Sequence, residues 1–293
     1  EMMEISQRVS PKLSQTSNNI FLNEKLLARV KSIYDKKEQL NLSTEDAKLL
    51  EDLYESFKAN GATLNKDDKE KYRKLSMDLS MLTLQFDQNA LKDKNRFELL
   101  ITDENELSGL PESARDAAAM LAKSKDKNGW LFNLSAPSYI PFMRYSDKRD
   151  LREKMYREYM SVGNKGDEFD NKDIIKKIVN IRLEIAQLMG FKNYAEYALE
   201  HTMAKNSANV YKLLNQLLEA YKPIAINEYN AVEGFALGTE KENITVMPWD
   251  WSYYSEKLRD IRFKVNDEMT RPYFELSNVK KGVFGLATQL YGI

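Results

Sequence analysis

The sequence contains no cysteine and only one histidine, His201, among 293 residues. The absence of cysteine excludes disulfides, a thiolate zinc site and a cysteine nucleophile. Because protein zinc sites are built largely from histidine and cysteine, one histidine cannot supply an H-E-x-x-H helix, which requires two. We therefore predict no catalytic and no metal-binding residue within this sequence. His201 is interpreted as an ordinary helix residue, and a stray metal or proton-transfer role is the alternative.

Long apolar runs and an excess of charge of one sign are also missing. No apolar segment approaches the roughly 20 residues needed to span a bilayer. Residues 1–4 lack the basic start and apolar core of a signal peptide. The 44 Lys and Arg residues nearly balance the 45 Asp and Glu residues, which argues against a dedicated nucleic-acid binder. We expect a soluble protein without membrane or nucleic-acid partners, in either the cytoplasm or the periplasm.

Helical periodicity dominates what is present. Apolar residues recur three and four positions apart along most of the chain, and only residues 97–101 and 130–134 are typical of strands. The predicted fold class is therefore mainly α: a multi-helix lobe with at most a small two-stranded β element. Ser43 or Thr44, Asp170 and Asn193 are predicted helix caps. Residues 135–143 are predicted to be extended, because two prolines disfavour helix in the residues before them.

The C-terminal region predicts two amphipathic helices. Asp250 is interpreted as the N-cap of the first helix, with a buried acid of raised pKa as the alternative. This helix is expected to run to Met269 with one apolar stripe, and Gly292 is expected to close the second helix. Arg149 and Arg152 are placed on a surface helix of mixed charge; the alternative is that they face a peptide channel. Three triplets fit the N-glycosylation pattern, at Asn41, Asn133 and Asn243, although such triplets are common by chance.

Several stretches share their order with a known family. They are residues 97–101 with the Leu-Ser-Gly-Leu-Pro segment 107–111, the proline-containing segment 134–143 followed by 149–153, and residues 249–259 and 271–293. Shorter matches lie at residues 170–171, 181–183, 186–191 and 203–204. Each motif is weak alone, but together they follow the order of the family from residue 97 to residue 293. In these motifs the sequence resembles the thimet oligopeptidase family of zinc metallopeptidases, most closely its bacterial peptidyl-dipeptidase branch.

The resemblance implies zinc-dependent hydrolysis of short peptides. In that family the zinc is held by two histidines of an H-E-x-x-H helix and by a downstream glutamate, and none of these maps onto this sequence. The resemblance therefore implies that residues 1–293 are the helical, non-catalytic lobe of a longer metallopeptidase, which could divide into sub-lobes 1–128 and 129–293. This lobe would wall the substrate channel and be inactive alone. Zinc, peptide substrates and a catalytic lobe would belong to the longer protein, and no substrate-binding residue is assigned.

A second hypothesis is a stand-alone helical scaffold or peptide-binding module without catalysis, because the sequence shows no active-site constellation. The abrupt, uncapped start at Glu1 favours the first hypothesis, since it is typical of a piece cut from a longer chain. The first hypothesis also predicts that the C-terminal helices expose an apolar face, which on monomeric proteins usually marks an interaction site.

Overall fold

The computed structural model of the protein describes residues 1–240, 244–265 and 267–293. Helices make up most of these residues, which confirms the mainly α fold class. Short 3₁₀ helices cover Lys37–Gln39, Glu104–Leu107 and Arg271–Phe274. The other elements in chain order are α1 (Met2–Phe21), α2 (Glu24–Tyr34), α3 (Thr44–Ala59), α4 (Lys66–Arg96), β1 (Leu99–Ile101), α5 (Glu112–Ser124), β2 (Trp130–Phe132), α6 (Ala136–Tyr145), α7 (Arg149–Met160), α8 (Lys172–Leu188), α9 (Tyr194–Leu199), α10 (Ser207–Thr239), α11 (Pro248–Phe263), α12 (Asp267–Thr270) and α13 (Leu276–Tyr291).

The chain forms two compact units. Unit 1 consists of Glu1–Asp93 and Gly163–Ala220, and unit 2 consists of Lys94–Val162 and Tyr221–Ile293. The chain thus changes unit after residues 93, 162 and 220, and the position 128/129 considered for sub-lobes is not among these boundaries.

Several helices of unit 1 begin with a side-chain cap. Ser43 Oγ accepts a hydrogen bond from Asp46 N at 3.1 Å, and Asn193 Oδ1 accepts one from Glu196 N at 3.0 Å, which confirms both predicted caps. These bonds satisfy amide groups that have no partner within the first helical turn. Apolar side chains from these helices form two buried clusters, one around Leu22, Tyr72, Leu75 and Ile185 and one around Val30, Phe57 and Ala62.

A buried polar network in unit 1 fixes the loop before α8. The Asp93 side chain is fully buried and accepts hydrogen bonds from Gly163 N at 2.7 Å and from Lys165 Nζ at 3.2 Å. Asn171 N donates to Gly163 O at 2.7 Å, and Asn171 Nδ2 donates to Phe86 O at 3.0 Å. Gly163 has φ of +70°, a region that glycine adopts at little cost.

The predicted cap at Asp170 is wrong. Helix α8 begins at Lys172 after Asn171, and Asp170 lies one residue too early to be its N-cap. Its carboxylate instead shapes the preceding loop by accepting hydrogen bonds from Gly166 N at 2.6 Å and Lys172 N at 2.9 Å. Hydrogen bonds from the side chain and backbone of Lys172 lower the pKa of Asp170 to about 2.

The small sheet lies in unit 2. Strands β1 and β2 pair antiparallel, with Leu99 opposite Phe132 and Ile101 opposite Trp130, which confirms the predicted two-stranded element. A Cβ atom on Gly129 would lie 2.3 Å from Ile101 O, so the close pairing requires glycine there. One side of this pair joins the main apolar cluster of unit 2, which includes Leu99, Ile101, Leu107, Leu110, Ala118, Phe132, Leu134, Phe142, Met143, Met155 and Trp249.

The extended conformation predicted for residues 135–143 is wrong, because most of this segment forms α6. Pro137 occupies the first helical turn, where a missing N–H costs no hydrogen bond. Pro141 lies inside the helix, where proline is unfavourable. Phe142 and Met143 directly follow it and are 0% and 4% exposed in the core, so their burial offsets the cost of the proline.

Helix α11 differs from its prediction at both ends. It begins at Pro248 rather than at Asp250, and it ends at Phe263 because Lys264 adopts a left-handed conformation with φ of +52°. The continuous stripe expected to reach Met269 is therefore broken. Trp251 is 37% exposed, and the side chains that α11 buries are Trp249, Asp250, Tyr253, Tyr254 and Glu256.

The last helix carries uncovered apolar residues. Gly292 has φ of +70° and follows the end of α13, as predicted. The large hydrophobic residues of this helix are 40% to 75% exposed, which confirms the expectation of an uncovered apolar face. They include Leu276, Val279, Val283, Phe284, Leu286 and Leu290.

Candidate functional site

The most elaborate polar arrangement in unit 2 is centred on Asp250. This carboxylate is fully buried and lies in the first turn of α11, where Oδ2 accepts a hydrogen bond from Met247 N at 3.1 Å. Arg149 Nε lies 3.1 Å from both carboxylate oxygens, and Arg149 Nη2 lies 2.7 Å from Oδ2. Arg152 Nη2 donates to Oδ1 at 2.8 Å. One carboxylate therefore joins α11 to two guanidinium groups of α7.

Arg152 is the more deeply buried of the two arginines. Its Nη1 donates to Ser146 O at 2.7 Å, and its Nε donates to Trp249 O at 3.3 Å. The guanidinium carbon lies 3.9 Å from the centre of the Tyr253 ring, an arrangement that favours a cation over the ring face. Arg152 therefore connects the loop before α7 with the first two turns of α11.

The electrostatics of Asp250 favour its charged form. Burial is the largest influence and opposes ionisation, but hydrogen bonds from Arg149, Met247 N and Arg152 outweigh it, so the pKa of Asp250 lies below its usual value. The buried charges of Asp250 and Arg152 are thus paired and hydrogen-bonded, which is the condition under which buried charges are tolerated, and the partly exposed Arg149 adds a second cation.

The structure changes the sequence interpretation of these three residues. Asp250 does stabilise the helix start, but from the third helical position rather than as N-cap, and the alternative of a raised pKa is wrong. The prediction that Arg152 lies on a surface helix of mixed charge is wrong, because only 1% of its side chain is exposed. Arg149 is 44% exposed. Their spacing of three residues places both arginines on one face of α7, where both reach Asp250.

A second polar group lies beside this cluster. Asp147 accepts hydrogen bonds from Ser108 Oγ at 2.6 Å and Tyr253 OH at 2.7 Å, and Lys257 Nζ lies 3.3 Å away. Burial alone would raise the pKa of Asp147. The hydrogen bonds from Ser108 and Tyr253 and the charge of Lys257 outweigh burial, so the pKa of Asp147 lies below its usual value. Burial and then the Asp147 acceptor raise the pKa of Tyr253. The backbone at Gly109 packs closely against the carbonyl oxygen of Tyr145, and a Cβ atom at this position would lie only 2.1 Å from that oxygen.

His201 is placed away from any metal-binding constellation. It lies in a turn just after α9 rather than within a helix, and its side chain is 40% exposed with Nε2 3.4 Å from Glu200 Oε2. Among the described residues, no group of three or more His, Cys, Asp or Glu side chains could hold a metal ion. The side chains of the described residues therefore do not fit a zinc site.

Two of the three glycosylation triplets can be located. Asn41 is exposed with φ of +45°, and Asn133 Oδ1 accepts hydrogen bonds from Ser135 N and Oγ. Asn243 lies outside the described residues. Across the described part of the chain, none of the helices combines the length and the apolar character that crossing a membrane requires.

Comparison with known proteins identifies the class. Residues 142–293, a segment that contains both arginines and Asp250, match the family described as Peptidase family M3. This segment is more than half of the chain. The chain belongs to peptidase family M3, and the resemblance stated from the sequence motifs is confirmed.

Named relatives match over the whole chain. It is 34% identical over 300 residues to oligopeptidase A of Salmonella typhimurium and 31% identical over 295 residues to dipeptidyl carboxypeptidase of Escherichia coli. Mitochondrial intermediate peptidase of Vanderwaltozyma polyspora is 27% identical over 310 residues. Each alignment covers 100% of this chain but only 44%, 43% and 38%, respectively, of the relative. The chain thus spans less than half the length of the curated relatives it matches.

Proposed function

We propose that this chain is the helical, non-catalytic lobe of a zinc-dependent oligopeptidase or peptidyl-dipeptidase that hydrolyses short peptides. The observation that carries the proposal is the match of the whole chain to 44% of oligopeptidase A. The mainly helical fold supports it, as does the family match that includes the Asp250 cluster.

In this proposal the chain contributes shape and binding surface rather than chemistry. With one histidine and no cysteine, it cannot form an H-E-x-x-H zinc helix. Zinc would be held by residues outside these 293 and would activate the water that attacks the peptide bond. The residues described here would wall the channel that admits peptides, and the lobe alone would be inactive.

The exposed apolar residues of α13 support a partner lobe. Val283, Leu286 and Leu290 lie three and four residues apart, so they share one helix face, and each is at least 57% exposed. A contiguous exposed apolar face of this kind is unusual on the surface of a monomeric protein. A catalytic lobe of the same polypeptide is the occupant that the proposal assigns to it.

The test combines the reading frame with enzymology. We expect the gene to continue beyond the codon for Ile293 and to encode an H-E-x-x-H helix. The purified 293-residue chain should hold no stoichiometric zinc and should not cleave quenched-fluorescent peptides, whereas the protein from the longer frame should do both. Dipeptide release by the 293-residue chain, together with tightly held zinc, would contradict the proposal.

A further inference from the structure

A cavity of about 610 Å³ lies within unit 2. Its walls come from the end of α6 and the loop after it, from α10, from the third turn of α11 onward, and from the segment around Gly109. Tyr145, Phe235 and Ile261 are the large apolar side chains among its described lining residues. The volume falls within the range of about 300–1,000 Å³ that is typical of small-molecule sites.

Most charged groups around this cavity already have partners. Asp147 binds Ser108, Tyr253 and Lys257, and Lys257 Nζ lies 4.3 Å from the centre of the Tyr253 ring. Glu256 accepts hydrogen bonds from Tyr145 OH at 3.2 Å and Arg259 Nη2 at 2.5 Å. Arg144 is likewise engaged. These groups therefore define the shape of the cavity rather than offering charge to a ligand.

Asp260 is the exception among the charged residues of the cavity. Its side chain is exposed, and among the described residues its carboxylate makes no hydrogen bond or ion pair. It lies next to Ile261, which is 62% exposed and lines the same cavity as Tyr145 and Phe235. Among the described residues that line the cavity, Asp260 thus offers a negative charge without a side-chain partner, next to the apolar side chain of Ile261.

We propose that this cavity binds the side chain of an arginine or lysine residue in a short peptide, with its cation on Asp260 and its aliphatic stem against Tyr145, Phe235 and Ile261. A long side chain with an apolar stem and a charged end matches the lining, because such side chains pack their stems on apolar surface. Arginine fits best, since its planar group can donate two hydrogen bonds to one carboxylate and stack on an aromatic ring.

This inference does not depend on the proposed catalytic role, because binding needs no metal and no second lobe. It is tested on the 293-residue chain with acetyl-Leu-Arg-Leu-amide and with the same peptide carrying citrulline, which keeps the shape of arginine but is neutral. Binding is followed through the ¹³C methyl signals of isoleucine, with Ile261 as the reporter in the cavity. Mass spectrometry checks that the peptides stay intact, so unexpected hydrolysis would count against the proposed function and not against the site.

We expect the arginine peptide to bind about fivefold more tightly than the citrulline peptide, as for an exposed ion pair at the upper end of its usual strength. Asp260→Asn should remove this preference. Asp116→Asn, which changes an exposed acid of α5 outside the cavity, should retain it. Equal binding of both peptides, a preference that survives Asp260→Asn, or an unperturbed Ile261 signal would overturn the proposal. Butylammonium binding as tightly as the arginine peptide would overturn the assignment to a peptide residue.

Discussion

Among the residues whose burial is described, each unit contains one completely buried aspartate, and the two sites stabilise that charge differently. In unit 1, Asp93 accepts hydrogen bonds from the backbone N–H of Gly163 and from Lys165 Nζ. In unit 2, Asp250 is held by the guanidinium groups of Arg149 and Arg152 in addition to one backbone N–H. The first site shapes a loop, whereas the second ties two helices together.

The difference predicts unequal costs of disruption. An isolated buried charge is strongly unfavourable, and the cost grows with the number of charged partners left behind. Neutralising Asp250 leaves two guanidinium groups without their anion, and Arg152 is only 1% exposed. Neutralising Asp93 leaves Lys165, whose side chain is 19% exposed and can reach water more easily.

The largest expected effect is therefore from Asp250→Asn, which should lower the free energy of unfolding of unit 2 by about 3–5 kcal/mol. Asp93→Asn should lower that of unit 1 by about 1–3 kcal/mol, as for a buried hydrogen bond to a charged group.

The three tryptophans, Trp130, Trp249 and Trp251, all lie in unit 2. Tryptophan fluorescence during urea unfolding thus reports on unit 2, and circular dichroism reports on both units.

The two readouts provide the control for this comparison. Asp250→Asn should shift the fluorescence transition to lower urea, and Asp93→Asn should shift mainly the part of the circular dichroism transition that fluorescence does not follow. Equal losses for the two variants would show that ion pairing adds nothing to the Asp250 site beyond ordinary hydrogen bonding.

The next effect separates the two arginines. Arg152→Met should cost about 2–3 kcal/mol, because it removes donors to Asp250, Ser146 O and Trp249 O while Arg149 still pairs with the carboxylate. Arg149→Met should cost about 1 kcal/mol, since this side chain is 44% exposed and its pair is screened by water. The midpoint of the fluorescence transition measures both. A larger loss for Arg149→Met would contradict the role assigned to burial.

Sequence reasoning predicted the parts of this fold that depend on local chemistry. Ser43 and Asn193 cap helices through bonds to residues three positions away, and Gly292 follows α13 with positive φ. Such features depend on a few neighbouring residues. The proline-containing α6 was missed because the burial of Phe142 and Met143, a tertiary effect, overrides a local preference.

The Asp250 cluster was missed for a related reason. Its ion pairs join residues 98 and 101 positions apart, and a single sequence contains no signal for such a distance. Periodicity placed Trp251 in a buried stripe, but the polar Asp250 and Glu256 are the buried neighbours instead. An arginine that pairs with a distant acid looks the same in sequence as one on a mixed surface.

A smaller effect tests how tightly the loop beside Asp93 is packed. Gly163 and Gly166 have nearly equal φ of +70° and +71°, but only Gly163 has a close neighbour, since its Cβ would lie 3.0 Å from Asn171 Nδ2. Gly166→Ala should cost about 1 kcal/mol from the left-handed conformation alone. Gly163→Ala should cost about 2 kcal/mol, because Asn171 must also move. Equal losses of unfolding free energy for the two variants, measured by circular dichroism, would show that the Asn171 side chain can move away at no cost.

The smallest effect is the acid dependence of unit 2. The folded pKa of Asp250 lies below its unfolded value of about 3.9, so the folded state binds fewer protons than the unfolded state. Its contribution to stability is therefore complete above about pH 5 and is lost as the pH falls through the unfolded and then the folded pKa.

The unfolding free energy, followed by fluorescence from pH 5 to 3, should fall more steeply in the parent than in Asp250→Asn. Asp116→Asn, at an exposed site, should follow the parent. Parallel slopes for the parent and Asp250→Asn would mean that the two arginines do not hold this carboxylate in its charged form, and the contrast with Asp93 would then rest on hydrogen bonding alone.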